Sequence, residues 1–192
     1  MEETTKHKIR EALHQREKKS IVDEGLTPAA VLLIIYCKAD EHYILFTKRT
    51  EKVTYHKGQI SFPGGAHQED DQTLLNTALR ENCEELGLAA RDIEILGELD
   101  DVATATSSYV ITPFVASIPW PYRFMVSKEE IDGIIEVPVA ALLDKANLRE
   151  EVQTIQCEAT PVYFYHYQEQ VIWGATARIL KQFLDILSGE GK

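Results

Sequence analysis

Pro63-Gly64-Gly65, fourteen further residues, and then Arg80-Glu81-Asn82-Cys83-Glu84-Glu85-Leu86-Gly87-Leu88 is the stretch on which the reading of this chain turns. A cluster that breaks regular structure is followed by a run with helical apolar spacing, which predicts a helix over residues 72–86 with Asp71 as N-cap and Gly87 as stop. Each helical residue advances about 100°, so Glu81 and Glu85 share one ridge, and Arg80 and Glu84 the neighbouring one. Arg80 is therefore expected to pair with Glu84. Leu75, Leu79, Cys83 and Leu86 fall on the opposite side and are expected to face a core, where the Cys83 thiol would be inert. Like charges four residues apart repel by roughly 0.2–0.5 kcal/mol per pair. A divalent cation removes that penalty, and carboxylate oxygens suit Mg²⁺ or Mn²⁺ rather than zinc. A solvated acidic helix face is the plain alternative. Gly64-Gly65 just upstream lets the backbone approach a ligand closely.

The charge distribution points the same way. The chain of 192 residues carries 31 acids against 20 bases, a net charge of −11, which disfavours a nonspecific nucleic-acid partner. Between Glu69 and Asp101 eleven acids face two bases, whereas Thr47–Lys57 holds four bases and one acid. A cationic stretch abutting an anionic one suits a site that handles both phosphate and metal. Three cysteines without a CxxC pair suggest a reducing compartment, here the cytoplasm. The longest apolar run, Ala29–Cys37, has nine residues, about half of what a membrane helix needs, so no membrane partner is expected.

Outward from the helix, strands are expected at Ala29–Tyr36 and Tyr43–Lys48 as a hairpin, and at Gln59–Phe62, Ile93–Leu99 and Tyr109–Ile118. Pro113 restricts the last of these to an edge or a bulge. Further strands are expected at Ile131–Val137, Pro161–Tyr167 and Gln170–Trp173, and a closing amphipathic helix at Ala175–Leu187. Residues 2–19 carry a sparse Ile9/Leu13 stripe and are read as a short, loosely attached helix. The order of elements suggests α/β architecture, with helices packed on a mixed sheet.

Gly65…Arg80-Glu81-x-x-Glu84-Glu85-x-Gly87-Leu88 resembles the Nudix box, Gly-x5-Glu-x7-Arg-Glu-U-x-Glu-Glu-x-Gly-U with U apolar, the signature of hydrolases that cleave diphosphates. Asp71 stands for the first Glu, eight residues rather than seven separate it from Arg80, and Asn82 occupies an apolar position. Leu45-Phe46-Thr47-x-Arg49-Thr50-x3-Thr54-x3-Gly58-x3-Phe62-Pro63-Gly64-Gly65 is similar to a motif of coenzyme A pyrophosphatase-like Nudix enzymes, Leu-Leu-Thr-x-Arg-Ser/Ala-x3-Arg-x3-Gly-x3-Phe-Pro-Gly-Gly. Thr54 in place of the second Arg removes a cation, for which Lys52 or Lys57 would substitute only as point charges.

The resemblance implies a Nudix-like α/β/α sandwich with a central mixed β-sheet, preceded by a helical extension over 1–25, with a single domain over 26–192. It implies metal-dependent hydrolysis of the diphosphate in coenzyme A or acyl-CoA, giving adenosine 3′,5′-bisphosphate and an (acyl-)phosphopantetheine. Alternatives are a Nudix activity on ADP-ribose, dinucleotides or (d)NTPs, and a non-catalytic nucleotide-binding module. The implied cofactor is Mg²⁺ or Mn²⁺, held by Glu81 and Glu85. Glu84 is either a third ligand or the partner of Arg80, and is counted with the catalytic residues. Glu130 is the candidate general base, from a loop downstream of the box. Arg49, whose planar fork can hold two oxygens, and Gly64 and Gly65 are the substrate-binding candidates. The partner is a small-molecule diphosphate, with the protein a monomer or homodimer. His56 and His67 lack a helical partner for metal. Tyr163, Tyr165 and Tyr167 alternate on one strand face, as core residues or as a stacking surface for adenine.

Overall fold

Both faces of the apolar run are covered. In the computed structural model, which describes residues 2–50, 58–104, 107–155 and 158–189, the run lies in β1 (Thr27–Lys38). Ala30, Leu32, Ile34 and Tyr36 point into one hydrophobic cluster, Leu33 and Ile35 into another. A two-residue turn at Ala39 and Asp40, with φ of 51° and 64°, joins β1 to antiparallel β2 (Glu41–Arg49), the expected hairpin.

β1 also pairs with β4 (Gly64–Ala66) antiparallel and with β7 (Tyr109–Ser117) in parallel. β2 takes on β3 (Ile60–Ser61) and β8 (Ile131–Pro138), while β5 (Glu94–Glu98) and β6 (Val102–Ala103) pair with β7. The result is an eight-stranded mixed sheet. The helix α2 (Leu74–Leu86) and the aromatic segment Trp120, Tyr122, Phe124 cover one face. The helices α1 (Glu2–His14) and α4 (Gly174–Ser188) bury apolar side chains on the other. This is the expected α/β/α layering. Between β8 and α4 lie a short α3 (Val139–Leu143) and a second antiparallel sheet of β9 (Leu148–Ile155), β10 (Glu158–Tyr167) and β11 (Gln170–Ile172).

Several expectations change. Helix α1 is not loosely attached. Ile9 and Leu13 are 2% and 6% exposed inside the core, and a Cβ on Gly97 would stand 2.8 Å from the Leu13 Cβ. Lys6 and Arg10 bond Glu94 at 3.0 and 2.6 Å, so charge as well as packing docks the helix on β5. Pro113 lies in an interior strand rather than at an edge. It faces the interval where β5 has ended at Phe114 and β6 has not yet begun at Ile111, and its carbonyl accepts from the Leu99 N–H at 2.9 Å. The missing N–H therefore points at a break in the neighbouring ladder. β4 and β9 were not expected. Tyr165 is buried and Tyr163 and Tyr167 pack against the same core, which is the core reading of that alternation. His56, Cys157 and the Lys52, Thr54 and Lys57 positions lie outside the described residues.

Leu13→Ala should lower unfolding free energy by about 2–4 kcal/mol, as a cavity in a packed core does. Urea denaturation checks it, and an unchanged midpoint would restore the view of α1 as an ornament.

Candidate active site

The site forms where α2 runs behind β4, the strand of Gly64 and Gly65. The helix starts at Leu74 with Thr73, not Asp71, as its cap: the Thr73 Oγ1 accepts the Asn76 N–H at 3.1 Å. Gly87 closes it in the left-handed region at φ 68°, as expected. The expected face is kept in part: Leu86 is buried and Leu75 and Leu79 pack, partly buried, against the core. Ala78, Asn82, Glu85 and Leu86 are buried, whereas Cys83 is exposed, so that thiol is not a core group.

Glu85 is 2% exposed and its Oε2 accepts the Gly64 N–H at 3.2 Å. Glu81 lies over Gly65 so closely that a Cβ there would meet its carboxyl carbon at 2.6 Å. Any larger residue at position 65 would displace that carboxylate. Burial and the neighbouring Glu81 push the Glu85 carboxyl up to about 8, against the pull of the Gly64 N–H and Arg49. Burial also raises Glu81, partly offset by Arg80. Glu130 adds repulsion to both carboxyls, so Arg49, Glu81, Glu85 and Glu130 share one electrostatic neighbourhood.

Arg80 organises the ridge, though not through Glu84 alone. Its Nε and Nη2 donate to Asp71 at 2.7 and 3.0 Å, its Nη1 to Glu81 at 2.8 Å and Glu84 at 3.0 Å, and its Nη2 to the Ala66 carbonyl at 3.2 Å. Asp71, 5% exposed, also accepts from the Gln68 N–H and the Thr77 hydroxyl, both at 2.9 Å. The Arg80 guanidinium beside it holds the Asp71 carboxyl well below the usual carboxylate range. Asp71 is thus the buttress of Arg80 rather than the cap of α2. Glu84 is exposed and turned to Arg80. The His67 Nδ1 lies 2.8 Å from the Thr77 hydroxyl, in the same network. Sequence reasoning missed the Asp71–Arg80 pair because the two residues stand on either side of the turn at Gln72, not at helical spacing.

Arg49 ends β2, half-buried, and its Nε is shielded from solvent with no hydrogen-bond partner among the described residues. Glu130 is exposed, but its backbone is held from two sides. The Thr50 N–H donates to its carbonyl at 2.9 Å, and the Ser127 N–H of its loop donates to the Glu85 carbonyl at 2.9 Å.

Two carboxylates on one ridge, one of them buried and resisting ionisation, are a donor set that fits a hard divalent cation. Among the described residues no three carboxylate, imidazole or thiol groups already converge as a cage. A cavity of about 280 Å³ lies at the Ile35, His42 and Pro138 end of the sheet, and none of Arg49, Glu81, Glu84, Glu85 and Glu130 lines it.

Fold and site together define a class, and the comparisons agree. The chain belongs to the Nudix family, whose NUDIX domain model matches residues 26–156. It is 36% identical over 162 residues to the protein called "Uncharacterized Nudix hydrolase NudL" from Yersinia pestis (strain Pestoides F), covering 83% of this chain and 79% of that one. Among solved structures it is similar to a MutT/nudix family protein from Enterococcus faecalis, at a TM-score of 0.55 and 15% identity over 99% of this chain and 79% of that chain. It is also similar to a MutT protein from Methanosarcina mazei Go1, at a TM-score of 0.53 and 17% identity over 93% and 99%. These two likenesses concern the fold. The chain is a Nudix-type pyrophosphohydrolase, from a family that typically depends on divalent metal. No helix among the described residues is long and apolar enough to cross a membrane.

The raised Glu85 carboxyl carries a stability signature. With a folded value of about 8 against an ordinary 4.5, the folded state holds a proton that the unfolded chain has released. Stability of the metal-free protein should therefore fall as pH rises from about 5 to about 8, and Mg²⁺ should raise Tm more at the upper end. Thermal melts with and without Mg²⁺ check this; a metal-free Tm that climbs over that window contradicts it.

Proposed function

We propose that the protein hydrolyses the diphosphate of coenzyme A or an acyl-CoA, giving adenosine 3′,5′-bisphosphate and an (acyl-)phosphopantetheine. The observation that supports this most is where the two ends of Leu45–Gly65 lie. One end delivers Arg49 to Glu85, and the other lays Gly64 and Gly65 against Glu85 and Glu81. Both ends of the stretch that resembles the coenzyme A branch thus reach one carboxylate ridge.

Glu81 and Glu85 would hold Mg²⁺ or Mn²⁺, and bound metal supplies neutralisation of the diphosphate charge and acidification of water. The chain's own groups do the rest. Arg49, half-buried at the end of β2 and acting electrostatically on Glu85, would offer its guanidinium to a phosphate oxygen. Gly64 and Gly65 keep the backbone low beside the substrate. Glu84 serves as the outer partner of Arg80 and steadies Glu81. Glu130 accepts the proton of the attacking water. The water oxygen forms the new bond to phosphorus, the bridging P–O bond breaks, and the departing phosphate keeps its electron pair. Each product keeps one phosphate of the cleaved linkage as a phosphomonoester.

Glu81→Gln and Glu85→Gln should each lower kcat by roughly 100-fold or more, the scale of losing a charge-stabilising group, without lowering Tm. Substrate choice is tested by incubating the protein with Mg²⁺ and coenzyme A, acyl-CoA, ADP-ribose, NADH and dNTPs, with products identified by mass. Release of adenosine 3′,5′-bisphosphate is expected. Turnover of ADP-ribose with coenzyme A untouched would overturn the branch and spare the reaction class.

A further inference from the structure

We infer that Thr50 is a positioning residue: together with a bulge at the start of β8 it aims the Glu130 carboxylate at the Glu81–Glu85 ridge. The inference rests on the reading of Glu130 as the general base. Because the Glu130 side chain is exposed, packing does not set its direction, and the backbone must.

Two sets of hydrogen bonds fix that backbone. On the helix side, the Met125 and Ser127 N–H groups donate to the Leu86 and Glu85 carbonyls at 2.8 and 2.9 Å, tying the loop to the last turn of α2. Ser127 then accepts from the Glu130 and Ile131 N–H groups at 3.2 and 2.9 Å, which turns the chain into β8. On the strand side stands Thr50, 7% exposed. Its N–H holds the Glu130 carbonyl at 2.9 Å and its Oγ1 donates to the Glu129 carbonyl at 3.1 Å. Successive carbonyls of an extended chain face opposite ways. Here both reach Thr50, so the chain is turned between them, and the hydroxyl holds the turn.

The strand register makes the turn consequential. Lys48 pairs with Gly133 but Arg49 with Ile131, so Asp132 is bulged out. Without that bulge Thr50 would stand opposite Ile131, and the residue before it would be carried to the other face of the sheet. With it, Thr50 meets Glu130. The backbone of Glu85, a proposed ligand, and the residue after Arg49, the proposed phosphate contact, are therefore the two fixed points between which the base is hung.

The test is a double-mutant cycle in steady-state hydrolysis with Mg²⁺, using coenzyme A, or ADP-ribose if coenzyme A is not turned over. Glu130→Gln should lower kcat by roughly 100-fold, the range of a lost general base. Thr50→Val should lower kcat by roughly tenfold with KM little changed, as a small misplacement does. Thr50→Ser should restore the rate, and the double variant should be no slower than Glu130→Gln alone. An unchanged rate in Glu130→Gln would remove the base reading itself. A slow Glu130→Gln beside a Thr50→Val that keeps the wild-type rate, or adds its full loss to Glu130→Gln, would overturn the role of Thr50. If Thr50→Val fails to fold, Thr50→Ala against Thr50→Ser makes the same comparison.

Discussion

The burial of the Glu85 carboxylate beside Glu81, against two glycines, is the constraint from which the rest of the site follows. A carboxylate out of water is costly unless something answers its charge. In the protein alone it is answered only in part, by one backbone N–H and by the field of Arg49. Gly65 is required because Glu81 occupies the space of its side chain. The arrangement is poorly satisfied by protein groups and well suited to a cation that brings an anionic substrate with it.

Around that ridge the molecule supplies rigidity rather than more negative charge. Arg80 spends its donors on Asp71, Glu81, Glu84 and a backbone carbonyl, linking the segment before α2, the helix and β4. Charge-assisted and bidentate bonds of this kind fix geometry as well as energy. The sheet beneath, covered on both faces, holds β1 and hence β4 in place. The loop of Glu130 is registered to the same helix through backbone bonds, so ligand and base candidates share a frame.

Much of this was legible in the sequence because helical period and turn chemistry are local. Glu81 and Glu85 fall on one ridge at any helix rotation, and Ala29–Cys37 is a buried strand by its continuity. What was not legible depended on partners distant in sequence. Leu13 is a core residue because Gly97 leaves room for it, which no pattern near Leu13 announces. β4 is a strand of two glycines and an alanine, with poor propensity, held by its neighbours. β9 reads as polar because it belongs to a small second sheet. Asp71 joins Glu84 as a partner of Arg80 because Gln72, at φ 61°, turns the chain and brings nine-residue neighbours together. Cys83 is exposed, although Leu75, Leu79 and Leu86 of the same expected face meet the core.

The central claim is that the buried pair exists to seat a cation. Its most direct measurement is the binding of Mn²⁺, followed by the loss of the free-ion electron paramagnetic resonance signal, in wild type, Glu81→Gln and Glu85→Gln. The account predicts saturable binding in the wild type and at least roughly tenfold weaker binding in each variant, as loss of a charged ligand implies. Binding in Glu85→Gln as tight as in the wild type would contradict it.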